Sequence, residues 1–223
     1  MPDDVIARLS TFGVVPVVAV DRDVDAVPIA NALAVGGLAC IEVTFRTEAA
    51  AASIRRIRRE LPEVVILAGT VLSVEQVDAA IAAGAAAVVA PGFNPVVVER
   101  CLERGIPIVP GIATPTELEM ALRYGLRVIK FFPAEPLGGI PYLKALAGPY
   151  PGVGFIPTGG VGPGNLAAYI DLVNVVAVGG TWLVRPELVA SRDFVRITSL
   201  AAEAVRIVRE VRSAQGRSQG TDR

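Results

Sequence analysis

The fold class predicted by this sequence is α/β: a (β/α)8 TIM barrel with an extra N-terminal helix. Three observations predict it. Short apolar runs rich in Val and Ile recur eight times along the 223 residues, separated by stretches with helical spacing. The runs are continuously apolar rather than alternating, which is the pattern of strands buried on both faces in a parallel sheet covered by helices. With 52% hydrophobic and 19% charged residues, the chain can bury a large core, and α/β barrels reach about 200 to 250 residues as one domain.

In chain order, a helix is expected at residues 3–11, followed by the first strand, VVPVVAV (14–20). The helical stretch DAVPIANALAVGG (25–37) leads to LACIEVT (38–44), and EAAAASIRRIRREL (48–61) leads to VVILAGT (64–70). SVEQVDAAIAAG (73–84) opens on Ser73 with a carboxylate in its first turn and stops at Gly84, the punctuation of a capped helix. AAVVAP (86–91) is the fourth strand, and Gly105 marks the next helix stop before IPIVPG (106–111). TPTELEMALRYG (114–125) repeats the pattern with Thr114 and Gly125, then RVIKFF (127–132), VGFIPTGG (153–160) and NVVAVGG (174–180) complete eight strands. Residues 193–212 make the last helix, so residues 1–212 read as one barrel domain and the polar SAQGRSQGTDR (213–223) as a disordered tail. An open doubly wound sheet is the rival fold, but no Gly-rich dinucleotide turn follows the first strand.

Composition excludes whole classes of chemistry. A net charge of -1 with Arg scattered among Asp and Glu leaves no basic footprint for nucleic acid. Residues 79–98 and 145–170 carry no charge. Gly84, Pro91, Gly92 and Pro95 interrupt the first, and Pro149, Pro151, Gly152 and Pro157 the second, so both read as buried strands joined by turns rather than membrane spans. The N-terminal MPDDVIARLS is acidic and has no apolar signal core, and the two cysteines, Cys40 and Cys101, lack disulfide or metal spacing. A cytoplasmic location is expected. There is no histidine, which removes Ser-His-Asp and Cys-His catalysis and the usual zinc sites. No clustered Asp/Glu set suggests a metal, so neither metal nor cofactor is expected.

What remains is an unusual lysine. Of 21 basic residues only Lys130 and Lys144 are Lys, and Lys130 sits in RVIKFFPAE at the end of an apolar strand. Arginine stays protonated in proteins, whereas a buried amine can lose its proton. Lys130 is therefore either a nucleophile, desolvated by Phe131 and Phe132, or a snorkelling strand-end lysine. In a barrel, chemistry belongs at the C-terminal strand ends. There lies Glu42, inside LACIEVT, which is either the proton carrier or half of a buried ion pair with Arg46. Arg46 and Thr70 can also hold a substrate carboxylate. The turns TGGV and GGTW, with Gly159, Gly160, Gly180 and Thr181, follow the seventh and eighth strands, where barrels commonly bind phosphate; otherwise they are simply tight turns. Glu135 reads as a solvated loop carboxylate or helix-start charge, Lys144 as a surface charge, and Trp182 and Tyr142 as packing groups.

The blocks IEVTFRT, AGTV, PGFNP, PIVPGIATPTE, VIKFFPAE, PTGGV and GGTWLV, over about residues 5 to 212, resemble those of the 2-keto-3-deoxy-6-phosphogluconate (KDPG) aldolases, in the same order. These are class I pyruvate aldolases, a group that includes 4-hydroxy-2-oxoglutarate aldolases. The resemblance implies Lys130 as the Schiff-base lysine, Glu42 as acid/base, Arg46 and Thr70 as holders of the pyruvyl carboxylate, and Thr158 as a contact to substrate hydroxyls. It also implies phosphate binding by Gly159, Gly160, Gly180 and Thr181, a pocket shaped by Pro91 and Phe132, and a homotrimer acting on a small-molecule substrate. Some members carry Arg just after the first strand, where this chain has Ala19.

Overall fold

A computed structural model describes residues 2–219. Helix α1 (Pro2–Phe12) precedes β1 (Val14–Val18), and from there strand and helix alternate: α2 (Asp23–Val35), β2 (Cys40–Thr44), α3 (Ala50–Glu60), β3 (Val65–Gly69), α4 (Val74–Ala83), β4 (Ala87–Val89) and α5 (Pro95–Glu103). The second half runs β5 (Ile108–Val109), β6 (Gly111–Ile112), α6 (Pro115–Arg123), β7 (Val128–Phe131), α7 (Gly139–Ala147), β8 (Gly154–Pro157), α8 (Leu166–Ile170), β9 (Val178–Gly180), α9 (Pro186–Ala190) and α10 (Phe194–Gln219).

All strand pairings are parallel. One sheet has the order β5-β4-β3-β2-β1-β9 and the other β6-β7-β8. The expected fifth strand is divided into β5 and β6 at Pro110, which has no N–H to donate to a ladder. Its carbonyl still accepts from Lys130 N at 2.9 Å, so the chain stays tied to β7. An isolated bridge between Thr158 and Gly179 links the end of β8 to β9. The arrangement is a TIM-like α/β fold of parallel strands.

Strand parity then sorts the core into two populations. One cluster packs the outer strand faces against the helices, with Val14, Ile41, Ile66, Ile129 and Phe155 among its members. The other lies inside the curved strands and contains Leu9, Val15, Cys40, Leu67, Val109 and Ile156. Leu9 comes from α1 and is fully buried, so this helix closes the base of the interior.

Helix ends follow the sequence signals closely. Ser73 accepts from Gln76 N, Thr114 and Glu117 form a reciprocal capping box, and Gly84 ends α4 at φ 92, a left-handed conformation that glycine adopts without steric cost. The uncharged segments 79–98 and 145–170 contain helical turns of α4, α5, α7 and α8 as well as β4 and β8, because both layers of this fold bury apolar residues. Among the described residues no helix is long and apolar enough to cross a membrane. The last helix continues past residue 212 to Gln219, where the sequence suggested a disordered tail. Gln215 Nε2 donates to the Asp171 carbonyl at 3.0 Å, tying the extension to the end of α8. Residues 220–223 lie outside the described residues.

Candidate active site

Two polar side chains interrupt the apolar interior. On β7, Lys130 shares its strand face with Val128, which packs on the inner cluster. On β2, Glu42 shares its face with Cys40, a member of that cluster. Both side chains therefore point inward. Lys130 Nζ donates to Glu42 Oε1 at 3.2 Å across 88 positions of sequence, and the two residues are only 5% and 3% exposed. Below them, Leu9, Val15, Leu67, Val89, Val109 and Ile156 close the space until a void of about 10 Å³ is left beneath the pair, no more room than one water needs. The Phe132 ring lies 5.4 Å from Nζ and covers a further side of the amine.

The buried partner of Glu42 is thus Lys130. Arg46, the partner that the sequence offered, is exposed and has no ion pair among the described residues. The sequence also offered a snorkelling role for Lys130, but an amine aimed inward and bonded to a buried carboxylate is not reaching for water. A buried pair of this kind is poor evidence of a device for stability, because desolvating two charges offsets much of their attraction.

Glycine makes room for these groups. Gly69 ends β3 opposite Thr44, and a Cβ there would overlap the Glu42 carboxylate. A Cβ on Gly179 would likewise overlap the Thr158 side chain. Neither glycine was singled out as a site residue from sequence, although both stand in the strand-end blocks AGT and VGG. Thr70, directly after Gly69, has φ 55, an outlier for a β-branched residue. Such backbone strain costs roughly 1–3 kcal/mol and persists where surrounding structure enforces it, typically at functional sites.

The remaining predicted residues gather around the same rim. Thr158 is buried, and its hydroxyl makes only a long 3.4 Å bond to the Ile156 carbonyl, leaving it free for a ligand. Gly159 and Gly160 have φ 98 and 83, a double left-handed turn that favours glycine. This turn is anchored by Glu135 N donating to the Gly159 carbonyl at 3.0 Å and Ala134 N donating to the Thr158 carbonyl at 2.8 Å. Glu135 is exposed, yet its carboxylate accepts from the hydroxyl of buried Tyr169; burial first, and this bond second, push that phenol above its usual range. Pro91 lies two residues past the end of β4 with its carbonyl against Gly111, where a Cβ would overlap it. Tyr142 stacks on Phe131 and donates to the Ala113 carbonyl at 2.7 Å, a packing role.

A cavity of about 770 Å³ opens above Val17, whose partner in the register is Glu42. Arg46, Thr181 and Trp182 line it, as do Ala19 and Arg22. The structure thus bonds Lys130 to Glu42, sets the Phe132 ring 5.4 Å from the amine and Thr158 beside the β9 turn, and gathers Arg46 and Thr181 on one cavity. Neither cysteine competes as nucleophile. Burial pushes the Cys101 thiol up to about 12 and raises Cys40 further still, so both stay protonated. Among the described residues no group of three Cys, Asp or Glu is arranged to hold a metal ion.

Comparison with known proteins places this geometry. The family description "KDPG and KHG aldolase" matches residues 5–200. The chain is 51% identical over 204 residues to the 2-dehydro-3-deoxy-phosphogluconate aldolase of Treponema pallidum, covering 92% of this chain and 97% of that protein. It is 45% identical to the KHG/KDPG aldolase of Escherichia coli, covering 88% and 92%. Among solved structures, the KDPG aldolase of Legionella pneumophila, with pyruvate captured as a covalent carbinolamine intermediate, superposes with a TM-score of 0.87 at 37% identity, covering 92% of this chain and 98% of that one. The Zymomonas mobilis KDPG aldolase with 3-phosphoglycerate gives 0.83 at 38% identity, covering 92% and 94%. With a match across most of its length and relatives this similar, the chain belongs to the KDPG and KHG aldolase family.

Proposed function

We propose that this protein is a class I aldolase that reversibly cleaves 2-keto-3-deoxy-6-phosphogluconate to pyruvate and glyceraldehyde 3-phosphate. The observation that carries the reading is the inward-facing Lys130 amine held 3.2 Å from the Glu42 carboxylate in a water-poor interior. An ammonium cannot attack a ketone, and a carboxylate within hydrogen-bond reach is positioned to take its surplus proton. The freed amine adds to C2 of the substrate to give a carbinolamine; Glu42 gives its proton to the departing hydroxyl, which leaves as water, so that a protonated imine forms and the carboxylate is restored. Glu42, directly or through a water, then removes the proton of the C4 hydroxyl. The C3–C4 bond breaks, its electrons pass into the imine, and glyceraldehyde 3-phosphate leaves. Glu42 returns a proton to C3 of the enamine, and water releases pyruvate and the amine.

In this reading Arg46 and Thr70 hold the pyruvyl carboxylate, Thr158 meets a substrate hydroxyl, and Pro91 and Phe132 shape the pocket. Gly159, Gly160, Gly180 and Thr181 cradle the phosphate through backbone N–H groups and a hydroxyl. No metal or other cofactor enters the scheme. We further read the parallel strands as an eight-fold (β/α)8 barrel preceded by an extra helix, residues 1–212 as a single domain, the assembly as a homotrimer and the location as cytoplasmic. The name of the Escherichia coli relative supports 4-hydroxy-2-oxoglutarate as a second substrate.

The test is release of pyruvate from the phosphorylated substrate in excess chelator. Full activity is the expected outcome. Saturable binding with no pyruvate released would make the protein a sugar-phosphate binder, and activity abolished by the chelator would make it a metal-dependent aldolase.

A further inference from the structure

We propose that Arg185 and Arg192 form a guanidinium clamp for the phosphate monoester end of the substrate, setting the preference for phosphorylated over phosphate-free substrates. The inference rests on the aldolase reading, adding to it two charged side chains in the loops flanking α9.

The 770 Å³ cavity has four guanidiniums on its wall, from Arg22, Arg46, Arg185 and Arg192, against two carboxylates, from Asp21 and Asp25. Arg22 is bonded to Asp25 at 3.2 Å, so that pair is internally neutralised. Arg46, Arg185 and Arg192 make no ion pair among the described residues, so their charges are not neutralised by a carboxylate of this chain as that of Arg22 is. Unpaired like charges converging on one concave surface repel one another unless an anion joins them, and a guanidinium fork suits the oxygens of a phosphate.

Position divides the work among the three. Arg46 follows β2, on the side of Glu42, and is assigned above to the pyruvyl carboxylate. Arg185 and Arg192 follow β9, in the segment that starts with Gly180 and Thr181, and both share a wall with Thr181. A phosphate seated on the Gly180–Thr181 turn therefore lies beside the cavity that Thr181, Arg185 and Arg192 line together. Arg192 has φ 54, the left-handed turn that closes α9 just past Ser191, where Arg192 N donates to the Val189 carbonyl at 3.0 Å and Asp193 N to the Leu188 carbonyl at 2.8 Å. The Arg192 guanidinium lies 5.8 Å from the Phe194 ring, and among the described residues its N–H groups have no side-chain or backbone acceptor.

The experiment measures kcat/KM for the phosphorylated substrate and for its phosphate-free counterpart in wild type, Arg185→Gln, Arg192→Gly and the double variant. Arg192→Gly removes the cation and places glycine at a positive φ, so its fold is favoured rather than strained. The ratio of the two kcat/KM values should fall about tenfold per arginine, which is ~1.4 kcal/mol, through KM for the phosphorylated substrate. An unchanged ratio in the double variant overturns the proposal, as does an equal fall for both substrates. Calorimetric binding of glycerol 3-phosphate tests the clamp without turnover, and equal affinity in wild type and double variant also overturns it. If wild type releases no pyruvate, the aldolase reading fails on its own, while the calorimetry still decides the clamp.

Discussion

The lower and upper halves of the interior are built by the same strands and differ in almost everything else. Below, Leu9, Val15, Leu67, Val89, Val109 and Ile156 fill the space until about 10 Å³ is left. Above, at one further residue pair along the same strands, the inward positions are Glu42, Lys130, Thr158 and the glycines 69 and 179. The lower half is an apolar plug that denies water a route to the amine from beneath. In the upper half bulk is removed so that polar groups can meet. The apolar plug and the reactive groups are thus separated by about one strand pleat, and only substitutions in the upper half should abolish turnover.

The largest effect should come from Lys130→Met, which removes the amine and leaves Glu42 buried without its partner. Turnover should fall on the order of 10³-fold or more, and stability by about 3–5 kcal/mol, the cost of an uncompensated buried charge. The double variant Lys130→Met, Glu42→Leu should recover most of that stability and none of the activity; denaturant melts with a pyruvate-release assay separate the two. Leu9→Ala attacks the plug instead. A loss of about 2–5 kcal/mol in unfolding free energy is expected, with turnover per folded molecule close to wild type. A matching loss of turnover would erase the division between the halves.

Gly69→Ala should be milder, adding one methyl where the Glu42 carboxylate now sits. Displacing that group by about 1 Å should lower kcat about 10²-fold, and a crystal structure of the variant should show Glu42 turned from Lys130. The smallest effect is expected from Thr70→Gly. Relief of the strain at φ 55 outweighs the backbone entropy of glycine by about 1 kcal/mol, so the melting temperature should rise slightly while KM for substrate increases. A fall in melting temperature would show that Thr70 is not strained.

Much of this was legible in the chain itself. The helix caps at Ser73 and Thr114 are local signals, and local chemistry enforces them in the fold. Glu42 and Lys130 stood out because each is a charge inside an apolar run, which burial tolerates only with a partner. Sequence offered Arg46, four residues on, as that partner; that it is Lys130 instead depends on strand parity and on the curl of the strands around the interior. Gly69 and Gly179 escaped attention because their role is to vacate space for side chains on neighbouring strands, and no local pattern records such a neighbour. Arg185 and Arg192 read as ordinary surface charges until the loops around α9 fold them onto a shared cavity with Thr181. The run 213–219 looked like tail, since it is polar, has no apolar face and carries a Gly, while the hydrogen bonds of Gln215 to Asp171 are tertiary.

The central claim is that Lys130, rather than Lys144, is the amine that binds the ketone. Borohydride reduction in the presence of pyruvate, followed by peptide mass analysis, tests it most directly. A stable adduct on the peptide carrying Lys130, absent without borohydride, is the predicted result. An adduct confined to Lys144, or none at all, would contradict it.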